Sequence, residues 1–152
     1  MGSETDLLPH VDEHSVAIAA APEVSWGALE RVIEASFSAG ATPRLARLLG
    51  CDDTAVSGPR PLAEGSVLPG FHVAAASEPT ELSLAGGHRF SDYALIFRLE
   101  RTGSGTELRA ETRATFPGFK GGVYRTLVIG TRTHVLVTRR ILAAAKARAE
   151  RA

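Results

Sequence analysis

Cysteine occurs once in this chain of 152 residues, at Cys51, so no intramolecular disulfide can form. A lone thiol suits a reducing cytoplasm, which is the expected location, and no histidine adjoins it in sequence to make it a nucleophile. Lysine is nearly missing, with two against fifteen arginines, and the seventeen basic residues are matched by seventeen acidic ones. A zero formal charge lacks the electrostatic footprint of a nucleic-acid partner or an anionic membrane surface. Long apolar runs are absent too: Arg132, Arg139 and Arg140 interrupt the most hydrophobic region, so no membrane insertion is expected. The opening "MGSETDLLPHVDEH" has no basic start followed by an apolar stretch and does not read as a signal peptide. Residues 1–10 are expected to form a flexible tail ahead of a single domain spanning 11–152. The five histidines are scattered, with no HxH or Cys/His cluster, and "GTRTH" and "FKGG" match neither a phosphate loop nor a dinucleotide fingerprint. GxSxG is missing as well, and neither a metal nor a cofactor is expected.

What is present suffices for one globular core, at 44% hydrophobic and 22% charged residues. "HSVAIAAAPE" sets Val16, Ile18 and Ala20 on one face and ends at Pro22, a first strand followed by a residue that suits the first turn of a helix. Val24, Leu29, Val32, Ile33 and Phe37 then recur at helical spacing, which predicts one helix or two short ones divided at Gly27. Glycines and prolines fill the next twenty-odd residues and leave room for a short helix around Pro43 to Leu49. From Gly65 onward, "SVLPGFHVAAAS", "TELSLAG", "HRFSDYALIFRLE" and "GTELRAETRATF" form four strand-like runs with tight connections, the pattern of an antiparallel meander. In the last run Glu107, Arg109, Glu111 and Arg113 alternate with Leu108, Ala110, Thr112, Ala114 and Phe116, which predicts one wet face and one buried face. Ala and Thr in the middle of that buried face are small. Either a cavity lies above them, or bulky partners such as Tyr93 and Phe97 fill the space.

The stretch "YRTLVIGTRTHVLVTRRILAAAKARAER" is rich in β-branched residues yet fails as a strand, because both alternate faces mix apolar and polar groups. As a helix it sorts: Arg125, Arg132, Arg139 and Lys146 repeat every seven residues, opposite Tyr124, Val128, Thr131, Val135, Thr138, Leu142 and Ala145. Each β-branched residue costs about 0.5 kcal/mol in a helix, against about 1.5–2 kcal/mol gained per buried apolar side chain. A helix from about Gly122 to Ala149 would be roughly 40 Å long, enough to cross a small sheet. The expected fold is therefore α+β: short helices after the first strand, and a curved antiparallel sheet wrapped around a long C-terminal helix.

That order of elements, with "VAIAAAPEVSWGAL", "LPGFHVAAASEPTELSLAG", "HRFSDYALIFRLE", "LRAETRATFPG" and the closing helix, resembles the SRPBCC superfamily. This is the START or Bet v 1-like helix-grip fold, and small bacterial polyketide-cyclase-like proteins are the nearest in character. The resemblance runs from Glu13 to the end and rests on pattern, not on a catalytic motif. It implies a pocket between sheet and long helix that accepts lipids, polyketides or other mainly apolar or aromatic molecules, and it carries over no shared catalytic residues.

The candidate ligand-binding residues are Tyr93, Phe97, Leu108, Ala110, Thr112 and Phe116 on the sheet, with Thr131, His134, Val135 and Thr138 on the helix. His134 stands about 200° round from Arg132, towards the sheet, where an imidazole could shuttle a proton or bond a ligand, or sit as a satisfied core histidine. Tyr93 is the other catalytic candidate and could equally be packing; Thr131 and Thr138 could orient a ligand or bond back to helix carbonyls. In "GHRFSDY", His88 and Asp92 would stand about 13 Å apart on one extended strand, too far to act together. Trp26 anchors the first helix or lies at a pocket mouth. The arginine stripe is either a solvated face or a contact for an acidic partner. Three functions remain: a carrier of an apolar small molecule, a cyclase or dehydratase using acid–base chemistry in the same cavity, and a protein-interaction domain with a filled core. The chain is expected to be a monomer or a homodimer.

Overall fold

The first strand, β1 (His10–Ile18), begins four residues earlier than "HSVAIAAAPE" suggests. Its pairing with the last strand slips between His10 and Asp12, where a bulge inserts one extra residue. His10 lies opposite Arg113 while Asp12 lies opposite Thr112, so two residues of equal parity serve opposite faces of the sheet. The structure is a computed structural model that describes residues 4–38, 44, 47–48, 50–53, 56–88, 91–118, 121–123, 125–126 and 133–152.

After β1 the chain enters α1 (Pro22–Ser38), a single continuous helix. The expected division at Gly27 does not occur: Pro22, Ser25, Trp26, Ala28, Leu29, Ile33 and Phe37 keep one buried stripe across it. Trp26 is thus a core residue of this helix, 2% exposed. Of the short helix expected at 43–49, residues 44 and 47–48 are helical and the others lie outside the described residues. The run "SVLPGFHVAAAS" divides at Pro69–Gly70, where Gly70 takes φ 88°, into β2 (Val67–Leu68) and β3 (Phe71–Ser77). Strand β4 (Glu81–His88) continues through Gly86 and Gly87, and β5 (Ser91–Thr102) starts three residues later. In "GHRFSDY", Gly87 and His88 end β4 while Ser91, Asp92 and Tyr93 begin β5, with Gly87 opposite Asp92, so the stretch is not one strand entry; Arg89 and Phe90 lie outside the described residues. Strand β6 (Gly105–Thr115) completes a six-stranded antiparallel sheet in the order β1-β6-β5-β4-β3-β2.

The C-terminal helix is described as α2 (Thr133–Arg151); residues 121–123 and 125–126 are also helical, and Tyr124, Val128, Thr131 and Arg132 lie outside the described residues. α2 packs against α1, β1 and β6. Its buried stripe is Thr138, Ile141, Leu142, Ala145 and Ala149, the expected stripe extended by Ile141 and Ala149. Together with Leu29 and Ile33 of α1, and with Phe97, Leu108 and Ala110 of the sheet, these residues form a common core. Arg125 and Arg139 are exposed as expected of an outer face, but Lys146 bends back, its Nζ donating to the Ala17 carbonyl at 2.7 Å and to Glu150 Oε1 at 2.6 Å. Glu150 in turn accepts from Ala19 N–H at 2.9 Å, so two α2 side chains cap part of the open edge of β1.

The convex face was expected to be wet, and it is not wholly so. Ser83, Ala85, Ala94, Ile96 and Glu111 are buried there. A 3-10 helix, Glu4–Leu7, packs across β4 and β5 with Thr5 1% exposed. Residues 4–10, expected as part of a flexible tail, are thus docked: Ala114 N–H donates to Pro9 O at 3.0 Å and His10 Nδ1 meets Glu111 Oε2 at 2.6 Å. An apolar back to the sheet needs such a cover, and the 3-10 helix supplies it with Thr5 buried, while Leu7 stays 86% exposed.

Candidate functional site

The bulge in β1 sets up the site. Beyond it, Asp12, His14, Val16 and Ile18 share the concave face with their β6 partners Thr112, Ala110, Leu108 and Thr106. At the start of α2, His134 reaches this strand: its Nε2 lies 2.7 Å from Asp12 Oδ2, and the same oxygen lies 3.3 Å from His14 Nε2. A carboxylate oxygen only accepts, so each imidazole presents Nε2–H to it, which leaves Nδ1 as the second functional atom of His134. That Nδ1 is buried and has no partner; neither do Asp12 Oδ1 and Thr112 Oγ1, both also sealed from solvent. Buried polar atoms are nearly always bonded, and each unmet one costs about 1–3 kcal/mol. Three in one cluster, on two neighbouring strands and a helix, are a feature to be accounted for.

The remaining sheet candidates do share the concave face. Tyr93 pairs with Ala114, Leu95 with Thr112, Phe97 with Ala110 and Leu99 with Leu108. Phe97, Leu108 and Ala110 are fully buried in the common core, whereas Tyr93 and Thr112 are half-buried and closer to the end where His134 lies. Phe116 sits just beyond β6, half-buried. Tyr93 is committed locally: its hydroxyl donates to Gly70 O at 2.6 Å and its ring packs edge-on to Phe71 at 5.1 Å. Gly86 makes that placement possible, because a Cβ there would meet the ring at 2.7 Å. On the helix, Val135 is half-buried, and Thr138 is buried with Oγ1 donating back to the His134 carbonyl at 2.8 Å. Thr131 lies outside the described residues.

A groove of about 550 Å³ opens along the outer flank of the cluster, between the free edge of β1 and α2, lined by His14, Val16, Arg139, Leu142 and Lys146 among others. Cys51 touches the Tyr93 hydroxyl at 3.7 Å, and burial pushes its thiol up, away from the reactive thiolate. Burial likewise lowers His88, against the pull of Asp92 and Asp52. Among the described residues no group of three His, Cys, Asp or Glu side chains could hold a metal ion. The pair His10 and His14, four residues apart, is divided by the bulge between the two faces.

His134 was legible in the sequence; its partners Asp12 and His14 were not. The signal was nonetheless there: the alternation that sets Val16 and Ile18 inward, extended back two steps, reaches His14 and Asp12. Thr112 was named for its face but not as one of three unmet atoms.

This geometry is that of the Bet v 1-like helix-grip class: a curved antiparallel sheet, a helix after the first strand, and a C-terminal helix. Solved structures share it. The chain is similar to an uncharacterised protein from Rhizobium leguminosarum at 12% identity, covering 94% of this chain and 96% of that one, with a TM-score of 0.59. A protein of unknown function from Staphylococcus aureus matches at 9% identity over 95% and 96% of the two chains, with a TM-score of 0.56. The allergen Ara h 8.0201 matches at 12% identity over 91% and 95%, with a TM-score of 0.53. At such identities the likeness is one of fold alone. No protein-family model matches the chain, and no curated protein matches it. Among the described residues no helix is long and apolar enough to cross a membrane.

Proposed function

We propose that this chain is a member of the SRPBCC superfamily that binds a mainly apolar, lipid- or polyketide-like small molecule between the concave face of the sheet and the C-terminal helix. The observation that carries the reading is a juxtaposition on one face: an apolar layer of Leu95, Phe97, Leu108 and Ala110, edged by polar atoms of Asp12, Thr112 and His134 whose bonds are unmet. An apolar surface with a few convergent polar groups is the usual composition of a small-molecule site. Phe97, Leu108 and Ala110 form the floor in this reading, with Tyr93, Thr112, Phe116, His134, Val135 and Thr138 around the ligand. The protein acts in the cytoplasm as a monomer or homodimer, with an apolar or aromatic molecule as its partner.

A second reading, a cyclase or dehydratase, is favoured by the Asp12–His134 contact at 2.7 Å, because a carboxylate that orients an imidazole is how a general base is held. Native mass spectrometry of protein purified from its host, with thermal shifts against fatty acids, sterols and aromatic polyketides, tests both. Bound mass and a raised melting temperature are expected. His134→Ala should weaken binding in a carrier and abolish turnover in an enzyme. No bound species and no shift with any of these ligands would instead favour a protein-interaction domain with a filled core.

A further inference from the structure

The pocket reading leaves open what polar group the ligand carries, and the unmet atoms answer that. Asp12 Oδ2 holds Nε2–H of His134 at 2.7 Å and Nε2–H of His14 at 3.3 Å, so among the described residues Asp12 meets the ring directly and His14 shares its carboxylate. A buried Nδ1–H without an acceptor would carry an unpaired charge-bearing donor, which costs more than a buried lone pair. The neutral ring therefore presents Nδ1 as a lone pair on the side turned away from Asp12, while the second carboxylate oxygen of Asp12 and the hydroxyl of its β6 partner Thr112 are the other unmet atoms of the cluster. Two acceptors and one hydroxyl together call for a ligand that donates hydrogen. A purely apolar molecule would leave all three unmet, and a ketone or ether would add a further acceptor.

We propose that Asp12, Thr112 and His134 form a proton-accepting station for a phenol or enol hydroxyl of the ligand, a proposal that rests on the pocket reading above. The hydroxyl donates to His134 Nδ1. With a sufficiently acidic phenol or enol the O–H bond breaks, its proton forms Nδ1–H, and the electron pair stays on the ligand oxygen. The new imidazolium keeps its Nε2–H on Asp12, and the ligand oxyanion accepts from Nδ1–H and from the Thr112 hydroxyl. Total charge is unchanged, and no oxidant, metal or second substrate is consumed. The carboxylate stabilises the imidazolium that forms, as in other Asp-oriented histidines.

The test uses the full chain and two probes, octylbenzene and an ortho-nitro-para-octylphenol whose visible absorption reports its ionisation. Thermal shift and tryptophan fluorescence read binding of both probes, and a pH titration of absorbance reads ionisation of the nitrophenol. The bound nitrophenol should ionise at a pH lower by roughly one unit than the free probe, a tenfold change in its acidity. Asp12→Asn should abolish that lowering. Thr112→Val, nearly isosteric, should shrink it and serves as the test if the Asp12 variant fails to fold. Octylbenzene binding with a nitrophenol that binds and ionises as it does in free solution would overturn the station and leave the pocket standing. Binding of neither probe would overturn both.

Discussion

At the scale of single residues, Glu111 is the group whose surroundings differ most from its place in the sequence. It belongs to an alternation of charges that reads as solvent-facing, yet its side chain is 7% exposed. The bulge at β1 brings His10 to it at 2.6 Å, and Arg98 and Arg113 each approach to 3.0 Å. Burial alone would lift the carboxyl, but hydrogen bonds from His10, Arg98 and Arg113 more than reverse this and hold it at about 2, against an ordinary 4.5. Because the folded value lies below the unfolded one, the stabilisation is full above about pH 4.5 and is lost as pH falls towards 2. Its size is about 3 kcal/mol at neutral pH. Glu111→Gln is expected to lower stability at pH 7 by roughly 2–4 kcal/mol, since it removes a buried carboxylate shared by two guanidinium groups, of which Arg98 keeps Glu81 at 3.4 Å and Arg113 keeps the Leu8 carbonyl at 3.3 Å. It should also flatten the fall in stability below pH 4.5, which urea unfolding at a series of pH values would check. A Gln variant as acid-sensitive as the wild type would place the acid-labile group elsewhere.

At the scale of elements, legibility followed period. α1 and α2 were readable because their apolar residues recur at helical spacing, and the buried stripes follow that spacing except at Val24, which is 41% exposed. Gly27 misled because glycine is a poor helix former, yet packing of the stripe on either side outweighs its local preference. Nothing lies within 4 Å of the position a Cβ would take at Gly27. Gly27→Ala is therefore expected to stabilise the fold by about 0.5–1 kcal/mol, read as a raised midpoint in denaturant with an unchanged slope. A lowered midpoint would mean that α1 is strained at that residue. The bulge in β1 was not legible, because an extra residue in one strand is defined only by its partner strand. That hidden irregularity is why His10 was assigned to a tail; Asp12 and His14 lie on the regular side of it and escaped notice because the strand was taken to begin only at His14. The docked 3-10 helix escaped for a similar reason: four residues give no period to detect, and their burial depends on an apolar patch elsewhere in the chain.

At the scale of the whole molecule, the sheet divides into a packed end and an end that carries the candidate site. Strand order joins β1 to β6, residues a hundred apart, so the concave face is assembled from both ends of the chain and only its alternation, not its neighbours, could be read beforehand. At the packed end Ala110 is 0% exposed, lies opposite both Phe97 and His14, and belongs to the same core as Leu142 and Ala145. Four positions along β6, Ala114 lies on the same face opposite Tyr93, and is not part of that core. If the ligand space opens at the Asp12 and Thr112 end, the two alanines must answer differently to the same added side chain. Ala110→Leu forces three carbons into a filled core and is expected to cost about 1–3 kcal/mol. Ala114→Leu fills space meant for a ligand: it should cost less than Ala110→Leu, yet remove the thermal shift produced by octylbenzene. Melting curves of both variants with and without octylbenzene decide the matter. Equal losses of stability, with the ligand shift intact in Ala114→Leu, would move the binding space away from this end of the sheet and towards the groove between β1 and α2.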